Sequence, residues 1–374
     1  MKKLIIGLML LWLCMPTVAI ASDAESFKTD LFAQLELDEI EGYLDEILPE
    51  QKISFKEMIE QLISGETTLS FQSLWKMVSE QFFYEFQNSK ETIVQILMIV
   101  ITAAIFHNFS EVFQNGQVSE LSFYVLYVLL LTISMSAFRV LVQSAASGIE
   151  RLIGFLQLLG PVYFLAVSFS TGSITSIVFY NILLFLIYLV KVLVLQVILP
   201  FVQIYFIMRL LDELSKETYL SKLAELLHTL IVWSMRTLLA AIVGLNFVQS
   251  MISPAIDSVK RTAIMRGSEA IPVVGDAIGG AAELFWSTAV LIKNGVGAAG
   301  AFICIVIGLS PVIQMLVICL LYQMIAAFLQ PISDKRMINC ISGIADSASL
   351  LLRIIIMTGA LFLITIAMVA TTTS

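Results

Sequence analysis

Ionisable side chains lie inside segments of the chain that are otherwise apolar, and the chemistry open to them is the first clue to function. They are Lys191, Arg236, Asp276 and Glu283. A charge at the centre of a membrane helix costs about 2.5–3.5 kcal/mol on insertion scales, so each such residue is a functional candidate by default. The candidate roles are ion pairing, the lining of a polar pathway and the relay of a proton.

Arg236 is the most deeply placed of these charges. It lies about 11 residues from either end of the apolar run 226–248, too far for its guanidinium to snorkel easily. Arginine stays charged at any relevant pH, so this side chain needs a carboxylate or a wet cavity. Asp276 and Glu283 are seven residues apart and share one helical face. We expect an ion pair between Arg236 and Asp276, with a pathway-lining role or a proton relay as alternatives.

Gly275, Gly279 and Gly280 surround Asp276 and predict a helix-packing face. Small residues at GxxxG spacing let two helix backbones approach closely, which drives helix association in lipid. The sequence contains no GxxxxGK[ST] motif, so these glycines do not form a phosphate-binding loop of that kind.

No motif for catalysis or metal binding accompanies these residues. The sequence has no HExxH motif and no Ser-His-Asp grouping in a strand–turn–helix context. His107 and His228 have no cluster of candidate ligands nearby in the sequence, and no cysteines stand at CxxC spacing. We therefore expect a non-enzymatic protein without a cofactor or a metal.

The composition identifies the solvent that surrounds most of the chain. Of 374 residues, 59% are hydrophobic and 13% are charged, against about 45–50% and about 25% in soluble domains. So few charges cannot cover the surface of a soluble fold of this length. The predicted fold class is all-α, a polytopic helical membrane protein with a small N-terminal helical domain.

Apolar runs mark the membrane body, residues 92–374. The runs are 92–109, 121–142, 152–169, 174–208, 226–248, 271–292, 295–329 and 349–370. The runs 174–208 and 295–329 would each extend about 52 Å as a helix, more than one simple crossing needs. They contain Pro200 and Pro311, where a kink or break is expected. We predict about seven to ten crossings.

Residues 1–21 are typical of a secretory signal peptide. Lys2 and Lys3 form its basic start, residues 4–13 its apolar stretch, and Ala19-Ile20-Ala21 its cleavage site. An uncleaved anchor is the alternative. The signal predicts that residues 22–91 form an extracytoplasmic domain. The basic residues of loop 209–225 favour a cytoplasmic position for that loop. Counting crossings back from this loop places the start of the run 92–109 in the cytoplasm, which conflicts with an exported N-terminal domain. The conflict stays open.

The N-terminal domain, residues 22–91, is acidic and helical. It holds 16 acidic and 5 basic residues, whereas the remainder is close to neutral, so the chain has no basic footprint for nucleic acid. Ser54 and Glu57 predict a capping box, and Gly65 predicts the end of that helix. A second helix carries an apolar stripe that includes Trp75 and Phe82, which is either the core of a small domain or an interfacial helix.

The order of these features resembles the stage III sporulation protein AE family. The features are the signal peptide, the acidic helical segment with residues 55–65, residues 254–266, the stretch IPVVGDAIGG at 271–280 and the stretch QPISD at 330–334. The resemblance covers nearly the whole chain, and residues 271–283 are its most specific part.

The resemblance implies a membrane component of the channel apparatus that joins mother cell and forespore. It further implies a place in the mother-cell-derived outer forespore membrane, beside other membrane proteins of the stage III complex. Self-association into a homo-oligomer is left open. The alternative function is that of a secondary transporter, which uses in-membrane charges and proline-broken helices.

We predict that the signal peptide is removed after Ala21, because a basic start, an apolar stretch and an A-x-A site occur in that order. N-terminal sequencing of the membrane-inserted protein should therefore begin at Ser22. A chain that begins at Met1 would contradict this prediction and make the apolar stretch an anchor.

Overall fold

Helix is the only regular secondary structure in the part of the chain that the structure describes. The structure is a computed structural model, and the residues that it describes are 35, 37–49, 53–65, 71–112, 116–170, 173–214, 220–268 and 274–371. The helices in chain order are α1 Asp38–Ile47, α2 Phe55–Ser64, α3 Phe71–Val112, α4 Gly116–Ser170, α5 Ser173–Leu189, the π-helix π1 Val190–Ile198, α6 Leu199–Asp212, α7 Ser221–Ser268, α8 Val274–Leu329 and α9 Lys335–Thr371. The signal peptide lies outside the described residues.

Five stretches of the described chain are long and apolar enough to cross a membrane. They are Phe123–Ser170, Ser176–Asp212, Ser221–Val248, Trp286–Leu329 and Lys335–Ala370. The predicted class, an all-α polytopic membrane protein, is confirmed. The longest stretch has 48 residues, whereas a simple crossing needs about 20. Length alone therefore does not fix the number of crossings, which stays a prediction.

Two pairs of apolar runs that the sequence separates are in fact single helices. The runs 121–142 and 152–169 both belong to α4, and the runs 271–292 and 295–329 lie in α8, which begins at Val274. The intervening residues 143–151 and 293–294 include polar and charged side chains but no proline. Polar residues end an apolar run without ending a helix, because the backbone hydrogen bonds continue through them.

The two prolines have different effects on their helices. Pro200 stands in the first turn of α6, directly after the π-helix π1, so the interruption expected there takes the form of a local change of helix type. Pro311 lies inside α8, which stays helical on both sides of it. The chain therefore does not break at Pro311, and the kink expected as the alternative stays a prediction. Neighbouring helices make such an internal proline tolerable.

The helices α4 and α8 pack closely in antiparallel fashion. A Cβ added to Gly148 would lie 2.7 Å from Cγ of Pro311, and one added to Gly300 would lie 2.6 Å from Cδ2 of Leu159. At both points a glycine on one helix lets a bulky residue of the other helix pack against its backbone. Small residues have this role at helix contacts in membrane proteins. α9 packs along both helices, and the Tyr163 hydroxyl of α4 donates to the Ile366 carbonyl at 3.4 Å.

The helix α2 has the ends that the sequence predicts. The Ser54 hydroxyl accepts a hydrogen bond from the Glu57 amide, and Gly65 closes the helix with φ of 77°. Glu41 of α1 adds a contact that the sequence does not reveal. Its carboxylate accepts hydrogen bonds from the Ser54 hydroxyl at 3.0 Å and from the Lys56 amide at 2.8 Å. A carboxylate at a helix N-terminus also interacts favourably with the helix dipole.

The helices α1 and α2 dock on the central part of α4 and α8. Phe55 is fully buried and meets Phe155 edge to face, with ring centroids 6.2 Å apart. The Tyr43 hydroxyl donates to the Arg151 carbonyl at 3.1 Å. Residue 154 is a glycine, and the ring of Tyr43 occupies the space that a side chain at that position would need. The division of the chain at residue 91 and the side of the membrane that this region faces stay predictions.

The aromatic stripe of α3 faces outwards. The side chains of Trp75, Phe82 and Phe86 are exposed, so the reading of this stripe as the core of a small domain is wrong. The alternative, an interfacial helix, fits exposed aromatic side chains. α3 also continues without interruption through residues 91 and 92.

Replacing Gly154 by leucine should displace α1 from α4. The new side chain would enter the space of Tyr43, whose Cζ lies 2.8 Å from an ideal Cβ at residue 154, and overpacking costs about 1–3 kcal/mol. We expect trypsin to cleave the detergent-solubilised variant after Lys56, an exposed residue of α2, several-fold faster than the unchanged protein.

The matched control is Gly359→Leu in α9, where an added Cβ meets nothing within 4 Å. Cleavage at Lys56 should be unchanged in that variant. Equal cleavage rates in both variants would show that residue 154 does not hold α1 in place.

Candidate functional site

A polar cavity of about 600 Å³ lies between α6, α7, α8 and α9. Ten of its eleven lining residues are polar or carry a hydroxyl, in helices that are otherwise largely apolar. The lining residues are Tyr205, Arg209, Ser221, Lys222, Glu225, His228, Gln323, Asp346, Ser349, Leu350 and Arg353. Polar and ionisable residues of membrane helices face the bundle interior or a water-filled cavity and mark substrate or ion pathways.

Helical spacing explains how residues far apart in the sequence meet at this cavity. On α9, Asp346, Ser349 and Arg353 recur at positions i, i+3 and i+7, which places them on one face. On α7, Glu225 and His228 follow the same rule. Each helix therefore contributes a short polar stripe, and packing brings the stripes together.

An ion pair between α6 and α9 crosses the cavity. Nη2 of Arg209 lies 3.6 Å from Oδ2 of Asp346, and the two side chains are 34% and 47% exposed. Nε of Arg209 is buried and has no hydrogen-bond partner among the described residues. A pair this exposed contributes only about 0.2–1 kcal/mol to stability. Its main effect is on the charge that the cavity presents.

The cavity lining is weakly positive. Three cationic side chains face two carboxylates, which leaves one net positive charge while His228 is neutral. Lys222 and Glu225 pair locally at 3.0 Å on the rim, where both are exposed. The cations Arg209, Lys222 and Arg353 lie on α6, α7 and α9, so a solute that carries a negative or a dipolar group meets cationic partners on three helices.

Hydrogen bonds brace the end of the bundle at which the cavity lies. The Tyr127 hydroxyl of α4 donates to the Leu210 carbonyl at 2.7 Å. Asp212 accepts a hydrogen bond from the Leu220 amide at 2.8 Å, across the connection from α6 to α7. The Asn339 side chain donates to both carboxylate oxygens of Glu213 at 3.1 Å. These contacts tie α6 to α4, α7 and α9 and so fix the cavity walls.

The arrangement suits the binding or passage of a small polar solute. Its volume lies within the range of small-molecule sites, about 300–1,000 Å³. No group of three or more metal-ligating side chains occurs in the part of the chain that the structure describes. The cavity walls carry polar stripes and a charged pair, and these groups can form hydrogen bonds with a polar solute.

The predicted site residues lie elsewhere or outside the described side chains. Lys191 and Arg236 are exposed, on π1 and α7, and neither lines the cavity. Asp276 and Glu283 lie in α8, but their side chains are outside the described residues. The ion pair of Arg236 with Asp276 therefore stays a prediction.

The predicted packing face of Gly275, Gly279 and Gly280 also lies in α8, whose described helix begins at Val274. The contacts of these three glycines are outside the described residues, so the face stays a prediction. Further along the same helix, Gly297 and Gly300 do make close contacts, with Tyr163 and Leu159.

Sequence reasoning missed Asp346 because it began the last apolar run at residue 349. The helix α9 starts at Lys335, which brings Asp346 inside it and onto the face of Ser349 and Arg353. Arg209 was interpreted only as a loop charge. A search for polar residues at helical spacing within the apolar segments would have found the stripe on α9.

Comparison with known proteins identifies the family. The family model for stage III sporulation protein AE matches residues 53–373. Over 356 residues the chain is 24% identical to stage III sporulation protein AE of Bacillus subtilis (strain 168). The aligned region covers 94% of this chain and 89% of that protein. No solved structure matches the chain. Since the family model spans most of the sequence, this chain belongs to the stage III sporulation protein AE family.

Proposed function

We propose that this protein is a non-enzymatic membrane subunit of a transport complex that links mother cell and forespore during sporulation. Family membership carries the sporulation role, and the apolar helices carry the membrane location. The polar cavity between α6 and α9 supports the transport role, because it offers a hydrated, charged space inside an otherwise apolar bundle.

The proposed location is the mother-cell-derived outer forespore membrane, with residues 22–91 on the extracytoplasmic side. The proposed partners are other membrane proteins of the stage III sporulation complex. The exposed aromatic side chains of α3, including Trp75 and Phe83, fit the interfacial region of a bilayer.

A secondary transporter is the second candidate, and one observation favours it. The π-helix π1 interrupts a long apolar stretch directly before Pro200. Interrupted helices near a polar cavity are a feature of transporters that change shape around a bound solute. The two candidates differ in whether the protein moves a solute alone.

Charge reversal at Arg209 and Asp346 should impair sporulation without removing the protein. Arg209→Asp and Asp346→Arg each place like charges about 3.6 Å apart across the cavity. Because the pair is so exposed, we expect the protein level to change little and the yield of heat-resistant spores to fall. The double exchange restores opposite charges, and it should recover most of the yield.

The matched control is the exposed pair of Lys76 and Glu80 on α3, which are 3.8 Å apart. Exchanging these two residues should leave spore yield unchanged, because exposed i,i+4 pairs contribute only about 0.3–0.5 kcal/mol. If both pairs respond alike, the cavity has no special role.

Purification from sporulating cells should separate the two candidate functions. We expect a tagged protein to co-purify with other membrane proteins of the stage III complex, and the isolated subunit in liposomes to move no solute. A protein that is recovered alone and transports a solute by itself would favour the secondary transporter and contradict the proposed function.

A further inference from the structure

The first half of α3 buries two polar side chains while aromatic side chains beside them are exposed. Glu85 and Ser89 are buried, with 5% and 8% of their surface exposed, whereas Phe82, Phe83 and Phe86 lie exposed on the same helical segment. In a soluble helix the apolar residues would face the core instead. A buried carboxyl on such a helix requires partners inside the protein.

The partners of Glu85 are neutral amides. Nε2 of Gln81, one turn earlier on α3, donates to Oε1 of Glu85 at 2.9 Å. The side chain of Gln314 on α8 also bonds to Glu85. Oε1 of Gln314 accepts a hydrogen bond from the Ser144 hydroxyl of α4, so the carboxyl lies at the junction of three helices.

Most charged groups on the surrounding helices are exposed. On α3, Glu80, Lys90 and Glu91 are exposed, and on α4, Arg139 and Glu150 are exposed. Residues 294–329 of α8 contain no charged side chain. One further charged group, Arg151 of α4, lines a second, smaller cavity.

Arg151 is a half-buried cation of this region. It lines a cavity of about 40 Å³ together with Gln81 and Ser310, which has room for a water molecule. Its Nε has no hydrogen-bond partner among the described residues. The ionisable groups of α1 beside it are Tyr43 and Glu46. Burial raises the pKa of Tyr43, and the Glu46 charge adds to the rise while Arg151 opposes it.

We propose that Glu85 is a proton-binding site, at which the buried carboxylate takes up one proton from water and becomes a neutral carboxylic acid. Burial favours the neutral acid, and the amide donors Gln81 and Gln314 favour the carboxylate. The site can therefore hold both forms at the same junction of α3, α4 and α8.

The electrostatic surroundings agree with this geometry. Burial raises the pKa of Glu85, and the hydrogen bonds from Gln81 and Gln314 oppose the rise. Because the pKa is raised, the proton stays bound at a pH where an exposed glutamate has lost it. The proton is released as the pH rises through the raised value.

Labelling with dicyclohexylcarbodiimide tests the proposal in membranes that contain the full chain. The reagent adds as a whole to a protonated carboxyl, and peptide mass spectrometry locates the adduct. We expect labelling of Glu85 to persist to a higher pH than labelling of Glu91, an exposed carboxyl on the same helix. Glu85→Gln should be as abundant as the unchanged protein and should lack this adduct.

Gln81→Leu supplies a second readout. It removes one hydrogen bond that favours the carboxylate, so labelling of Glu85 should persist to a still higher pH. Absence of labelling at Glu85, or loss of labelling at or below the pH at which Glu91 loses it, would overturn the proposal. Protection of Glu85 by sodium chloride but not by choline chloride would equally overturn it, in favour of a sodium site.

Discussion

The antiparallel contact between α4 and α8 is the constraint on which the remaining contacts depend. In a bilayer, helices gain little from burying apolar surface against one another, so close packing must hold them together. Gly148 admits Pro311 and Gly300 admits Leu159, and these two contacts set the register. The helices α1 and α2 rest on this pair, α9 lies along it, and Gln314 reaches Glu85 from it.

The two polar sites differ in their relation to that contact. The junction around Glu85 is part of it, because Ser144 and Gln314 belong to α4 and α8. The larger cavity lies to one side, where α9 turns a polar face towards α6 and α7. The close contact of two helices thus supports a small, buried site, while four helices braced by hydrogen bonds enclose a larger, polar one.

Composition and local patterns predicted the class of fold and the ends of α2, because both depend on nearby residues. Few charges require a bilayer, and Ser54 and Gly65 act within one turn of the helix that they bound. Helix lengths could not be predicted from apolar runs, since the polar and charged side chains within residues 143–151 end an apolar run but not the helix. The cavity was missed because its stripes are separated by more than 100 residues, as Arg209 and Asp346 are.

The docking of α2 on α8 has a consequence for the order of synthesis. Ile59 packs beside Gly295, 236 residues later in the chain, so its docking surface does not exist when α2 leaves the ribosome. At about 5–20 residues per second, the ribosome needs roughly 10–50 s to supply it. During that interval the apolar face of α2 has no native partner on α8. The chain therefore completes its N-terminal region late, after more than three quarters of the protein has been made.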